Sequence, residues 1–342
     1  MAITLIDGFD LYNGTGVNTG LQSKWFLAGA TNFISMTTGR FGGQCVSYTG
    51  AASNAGNMSR TFTASSAVCY GVAFRSVNAP AANTPVLLGL ENSGTVQVGW
   101  RMTTTGAIEV LRAGTSLGAS AAGVISINTW HFIETEVVIS DTVGRVTIFV
   151  DGTQVLNLTN VDTRNGTPTT VDSLRFGYAQ GALNAYNYQL DDLYVTDTAT
   201  RLGERRVETL RPNADTAQKD FTRSAGADNF ALVDDTTSNG DTDYIQGSTV
   251  GNLDRYTTAG LSTTPSAIDA VQLTAFALKT DATTRNIALH ARSGSTDSDG
   301  SNYALAASYT KFDRILETDP ATSAAWTITG INSLQFGPKV TV

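Results

Sequence analysis

The sequence predicts an all-β protein made of two antiparallel β-sandwich domains. Three observations lead there. Short runs of alternating apolar and polar residues recur along the chain, separated by clusters of Gly, Asn, Asp, Thr and Pro. Charged residues make up only 15% of the chain and 33 residues are Gly, with Thr, Ser and Val abundant, a balance that suits pleated surfaces and turns better than amphipathic helices. The stretch from Trp130 to Gly152 reads as a strand, a turn over Asp141 to Gly144, a second strand and an Asp-Gly turn.

In chain order, the first half offers strands at 44–48, 59–63, 67–75, 84–91, 96–102 and 107–112, then 131–139, 145–150, 154–158, 173–178 and 188–196. The hairpin at Asp151 is tested by register. A three-residue loop, Asp151 to Thr153, sets Val150 against Gln154, Ile148 against Leu156 and Val146 against Leu158, which gathers the apolar residues on one face. Near Ala199 the texture changes to the charge-dense run TATRLGERRVETLRPN. The expected organisation is a first domain over 1–200, a linker over 201–212 and a second sandwich over 213–342. In the second half, strands are expected at 230–233, 253–257, 268–279, 285–291, 303–310 and 333–342. The 268–279 run is partly apolar on both faces, so it reads as a central strand. One helical turn is expected within 321–328, after Pro320.

With 41% hydrophobic residues in alternating patterns, the chain is expected to bury a core rather than stay disordered. The net charge of -8 and scattered Lys and Arg leave no basic stripe, so nucleic acid is not an expected partner. No apolar run is long enough to cross a membrane, and the start MAITLIDGFD lacks a secretory pattern, so synthesis in a reducing cytoplasm is expected. Cys45 and Cys69 are accordingly expected as buried free thiols.

Trp130, the alternating strand to Ile139, the strand Val146 to Val150, the Asp151-Gly152 turn and the late run from Gln189 to Val195 resemble the concanavalin A-like, laminin-G-like jelly roll. The opening IDGFDLYN, Lys24-Trp25 and the run from Thr38 to Gln44 resemble the N-terminal module of tailed-bacteriophage virion proteins. The last 130 or so residues resemble the second β domain of such proteins. The resemblance implies a non-enzymatic structural protein on the virion surface, as a capsid decoration or a tail or fibre component. It would dock on other virion proteins and form a homo-oligomer, a trimer by analogy. The alternatives are a lectin-like adhesin for host surface glycans and a polysaccharide depolymerase.

Candidate sites are few. Asn184, Tyr186, Asn187 and Tyr188 form an aromatic–amide cluster of the kind that binds sugars, by stacking and hydrogen bonding. No cofactor is expected beyond calcium, for which Asp241 and Asp243 in one loop and Asp297 and Asp299 in another supply hard oxygen ligands. Asx-rich turns form for local reasons as well, and neither loop completes an EF-hand. Glu134 and Glu136 share a strand face, but the third carboxylate of a glucanase pattern is replaced by Val137, Val138 and Ile139, so a solvated strand face is expected. His131 and His290 show no Ser-His-Asp or metal-ligand spacing.

Overall fold

The computed structural model describes residues 1–15, 20–29, 33–50, 56–177 and 185–342. The chain divides into two compact units, Met1–Val207 and Glu208–Val342. Residues 201–207, expected as linker, belong to the first unit.

The first unit is an antiparallel jelly-roll sandwich. Among the described residues, one sheet has eight strands, in the order Thr153–Val161, Gly144–Val150, Trp130–Val138, Ala67–Ser76, Asn187–Thr196, Gln44–Thr49 and Ile34–Thr38, with Ile3–Asp7 pairing Asn187–Thr196. The facing sheet has seven: Thr115–Ala119, Ile108–Arg112, Thr95–Met102, Leu88–Asn92, Val171–Gly177, Gly56–Ser65 and Phe26–Gly29. Alternation along the strands sends Val68, Tyr70, Val72 and Phe74 into the core between the sheets, where they meet Leu90, Val98, Trp100 and Phe176. Tyr48 stacks on Tyr188 with centroids 4.7 Å apart, and Phe74 sits 5.5 Å edge-on to Trp100. One polar anchor is buried with them: Asp7 accepts hydrogen bonds from Trp25 Nε1 at 2.8 Å and from the Tyr12 hydroxyl at 3.0 Å.

The hairpin at Asp151 corrects the expected loop. Val150 opposes Thr153, so the loop has two residues, Asp151 (φ 50°) and Gly152 (φ 77°). Both take positive φ, as a hairpin turn of this length favours. A bulge between Ile148 and Phe149 then restores the register, leaving Ile148 opposite Leu156 and Val146 opposite Leu158 as expected. Cys45 and Cys69 are free and buried.

The second unit is also antiparallel. Its main sheet runs Pro212–Lys219, Asp254–Thr258, Gln335–Val340, Asn286–Ser293 and Thr296–Asp299, with Tyr303–Ala304 pairing Asn286–Ser293. The 268–279 strand is not central. It is realised as Val271–Ala277 and, among the described residues, pairs only with Thr310–Leu316 in a two-stranded sheet. Its two apolar faces have separate uses: Leu273 joins the core with Leu289, Trp326 and Ile331, while Phe276 stacks on Tyr309 at 4.9 Å. The strand expected at 230–233 is a 3-10 turn, Phe230–Leu232. The Asp215 carboxylate causes this by accepting the amides of Asn229 (2.9 Å) and Phe230 (2.7 Å) at its start. The expected helical turn forms later, as Ile328–Asn332, capped by Thr327 accepting from the Gly330 amide.

Candidate functional site

The outer face of the eight-stranded sheet carries two unlike regions, set by register. In the first, Glu134 faces Gly71 across one strand pair and Tyr194 faces Gly71 across the next. A side chain at position 71 would collide with the Tyr194 ring, 2.2 Å from an added Cβ, so glycine lets the two meet. The Tyr194 hydroxyl donates to Glu134 Oε1 at 2.5 Å. The segment after the last strand closes over them. Gly203 N–H donates to Glu134 Oε1 at 2.7 Å, Arg201 Nη1 donates to Oε2 at 3.2 Å, and Leu202 N–H donates to the Tyr194 hydroxyl at 3.0 Å. The Arg201 guanidinium also lies 4.1 Å above the Phe149 ring. Glu134 is 1% exposed, so the expectation of a solvated face fails here. Burial first, and then its acidic neighbours, push the Tyr194 hydroxyl far above its ordinary range.

One row away, Asp191 lies opposite Ala73. Its Oδ2 accepts the Arg40 amide at 2.7 Å and its Oδ1 the Asp192 amide at 2.8 Å, tying the turn around Gly39 to Gly43 to the sheet. Asp192 Oδ1 accepts the Val207 amide at 2.8 Å, and its Oδ2 stands 3.8 Å from Arg40. Burial, and then the adjacent carboxylate, push the Asp191 carboxyl well up; burial does the same to Asp192. Among the described residues no group of three or more His, Cys, Asp or Glu is arranged to hold a metal ion.

The next row is open. Trp130 opposes Arg75, Arg75 opposes Gln189, Gln189 opposes Ser47 and Ser47 opposes Ser35. Five neighbouring strands thus present Trp, Arg, Gln, Ser and Ser in line, over about 19 Å at a strand spacing of about 4.8 Å. All five are half-buried. Arg75 Nη1 donates to Gln189 Oε1 at 3.2 Å and Nη2 to Asn128 Oδ1 at 3.1 Å, while Nε has no hydrogen-bond partner among the described residues. Its partners are neutral amides, so its charge is held in place but not neutralised.

The expected glycan cluster is not this row. Tyr186 is 1% and Tyr188 0% exposed, both in the core between the sheets, so neither ring can stack on a sugar. Asn187 holds the adjoining loops instead, accepting the Gly50 amide at 2.9 Å while its own amide donates to Asn78. Asn184 lies outside the described residues. A signal was present in the sequence: Tyr186 and Tyr188 share parity with Leu190, whereas Gln189 has the opposite parity. Of the calcium candidates, Asp297 accepts from Arg292 at 2.7 Å and Arg255 at 3.3 Å. Asp299 accepts from His290 at 2.6 Å and also pairs with Lys339. These carboxylate oxygens, the ones expected as calcium ligands, are thus already in contact with Arg, His and Lys side chains. Asp241 accepts the Tyr309 hydroxyl at 2.8 Å, and Asp243 accepts the Asn239 amide.

No protein-family model matches the chain, and no curated protein matches it in sequence. Solved structures align with part of the chain. A cellulose-induced protein aligns with a TM-score of 0.42 at 14% identity, over 54% of this chain and 95% of its own. An endo-β-1,4-glucuronan lyase from the fungus Trichoderma reesei gives 0.42 at 14% identity, over 57% and 98%. An alginate lyase gives 0.41 at 12% identity, over 59% and 98%. At this distance the likeness is one of fold, and the activities of these proteins stay with them. The expectation of a non-enzymatic tailed-phage virion protein is not carried further, since the similar structures include polysaccharide lyases and sialidases.

Proposed function

We propose that the first unit engages an anionic polysaccharide along the open row of its eight-stranded sheet. The observation that carries this reading is the line Trp130, Arg75, Gln189, Ser47 and Ser35, with a guanidinium whose partners among the described residues are neutral amides. An aromatic face suits the CH surface of a sugar ring, amides and hydroxyls suit its hydroxyl groups, and an unneutralised guanidinium suits a uronate carboxylate. Asn128, fixed to Arg75, extends the row at its edge.

The test is calorimetric titration of the full chain with oligo-uronates and, in parallel, with neutral cello-oligosaccharides. Uronates should bind and neutral oligomers bind more weakly. Arg75→Ala should cost about 1.5–3 kcal/mol, roughly ten- to hundred-fold in affinity, as the loss of a charge-assisted hydrogen bond. Trp130→Ala should cost about ten-fold with unchanged melting of the second unit. No binding by the folded protein, or binding indifferent to both substitutions, would sink the reading. Following the same mixtures for newly formed unsaturated uronate or reducing ends shows whether the bound chain is also cut.

A further inference from the structure

A second cluster lies off this face, where the loop before the strand Trp130–Val138 meets the Asp151 turn. Ser126 Oγ is 2.8 Å from His131 Nε2, and His131 Nδ1 is 2.7 Å from Asp151 Oδ2. The backbone N–H of Ser126 also reaches Nε2, at 3.1 Å. An amide N–H can only donate, so Nε2 carries the lone pair and the ring proton sits on Nδ1, facing Asp151. That is the tautomer a general base needs. Asp151 is itself fixed: its Oδ1 accepts the Phe132 amide at 2.8 Å, and its backbone is held at φ 50° in the hairpin turn. The imidazole is buried, whereas Ser126 is exposed. The hydroxyl is therefore reachable from solution while the base behind it is shielded. The absence of Ser-His-Asp spacing expected from sequence is corrected: folding assembles the three from a loop, a strand and a turn.

We propose that Ser126, His131 and Asp151 form a hydrolytic relay for short-chain carboxylic esters. Ser126 Oγ attacks the ester carbonyl carbon as its proton passes to His131 Nε2. The C–O bond to the alcohol breaks, the alcohol leaves with that proton, and the acyl group stays on Oγ. Water then attacks the acyl carbon and gives a proton to Nε2. The acid is released and Oγ recovers its proton, so ester and water become acid and alcohol. Asp151 acts as the positioning residue, holding the tautomer and offsetting the imidazolium charge. Ile127, the next residue in the chain and exposed, offers an apolar surface that suits an acetyl group or one of similar size.

The experiment treats the full chain with a fluorophosphonate probe and maps the adduct by mass spectrometry, alongside hydrolysis of p-nitrophenyl acetate. One adduct on Ser126 is expected. Ser126→Ala should abolish it with an unchanged melting curve. Asp151→Asn keeps an oxygen for the Phe132 amide but presents an NH2 to Nδ1, and should slow both reactions at least ten-fold. A mere staple between loop and turn would give neither labelling nor turnover. Folded protein that takes no adduct at Ser126, or labelling indifferent to Asp151→Asn, would overturn the proposal. The outcome is independent of the uronate titration, since no residue of the relay belongs to the open row.

Discussion

The covered and open regions of one sheet face use the same strands to opposite ends. On Trp130–Val138, Glu134 is sealed under residues 201–203, while Trp130, four positions earlier, is left half-open. On Asn187–Thr196, Tyr194 is sealed and Gln189 is open, with Asp191 marking the border. The difference lies in what the chain does after the sheet is complete. Arg201, Leu202 and Gly203 supply a cation, an amide and a second amide to the covered region, and Glu134 becomes a structural anchor. Arg75 donates, among the described residues, to neutral amides, and its charge stays available. A charged residue on a strand face is thus assigned to stability or to binding by its partners rather than by its own chemistry.

Removing the anchor should produce the largest effect. Glu134→Ala strands the Tyr194 hydroxyl, the Gly203 amide and Arg201 without their shared acceptor. A cost of about 3 kcal/mol is expected for breaking a buried, hydrogen-bonded charge site, reduced from the upper end because Arg201 keeps some contact with water. Urea denaturation of the first unit would read it. The matching substitution on the open region, Arg75→Ala, should change stability by less than about 1 kcal/mol. Equal losses at the two positions would erase the distinction between the covered and the open region.

The border row gives a smaller effect with a definite sign. Burial and the neighbouring carboxylate push Asp191 up to about 8. A group raised in the folded state contributes stability that is full below its unfolded value, near 4, and is lost as pH rises through the folded value. The first unit should therefore melt lower at pH 8 than at pH 5, by about 2–4 °C for a change of about 1 kcal/mol in a unit of this size. Asp191→Asn should flatten that slope. A first unit that melts higher at pH 8 in calorimetry would reverse the assigned cause.

Much of the fold was legible because it is local. Turn residues and alternation placed the Trp130 to Gly152 hairpin, and apolar matching put Ile148 opposite Leu156 even though the loop length was wrong by one and a bulge made up the difference. Parity alone could assign Tyr186 and Tyr188 to the core, but naming them a sugar site required knowing which face was inward. The open row was beyond reach, since Arg75 and Gln189 meet across 114 residues and only the pairing of distant strands brings them together. Folding of residues 201–203 onto Glu134 and Tyr194 was hidden for a related reason: a charge-dense run reads as linker until its acceptors are known. Ser126, His131 and Asp151 lay within one short stretch, yet their meeting depends on the exact turn that brings Asp151 back beside the ring.

Salt separates the two regions by the smallest margin. Arg75 is half-exposed, so its attraction for a uronate should be screened as the Debye length falls from about 10 Å at 0.1 M towards 3 Å at 1 M. Raising NaCl across that range should weaken oligo-uronate binding by roughly three- to ten-fold at the open row. The Glu134–Arg201 pair has a carboxylate shut away from solvent, so the same salt should leave its contribution to stability nearly unchanged. The contrast is read from titrations of the native chain beside Arg75→Ala, whose residual binding should be indifferent to salt. Residual binding by Arg75→Ala that remained as salt-sensitive as the parent would assign the charge to another cation on the sheet.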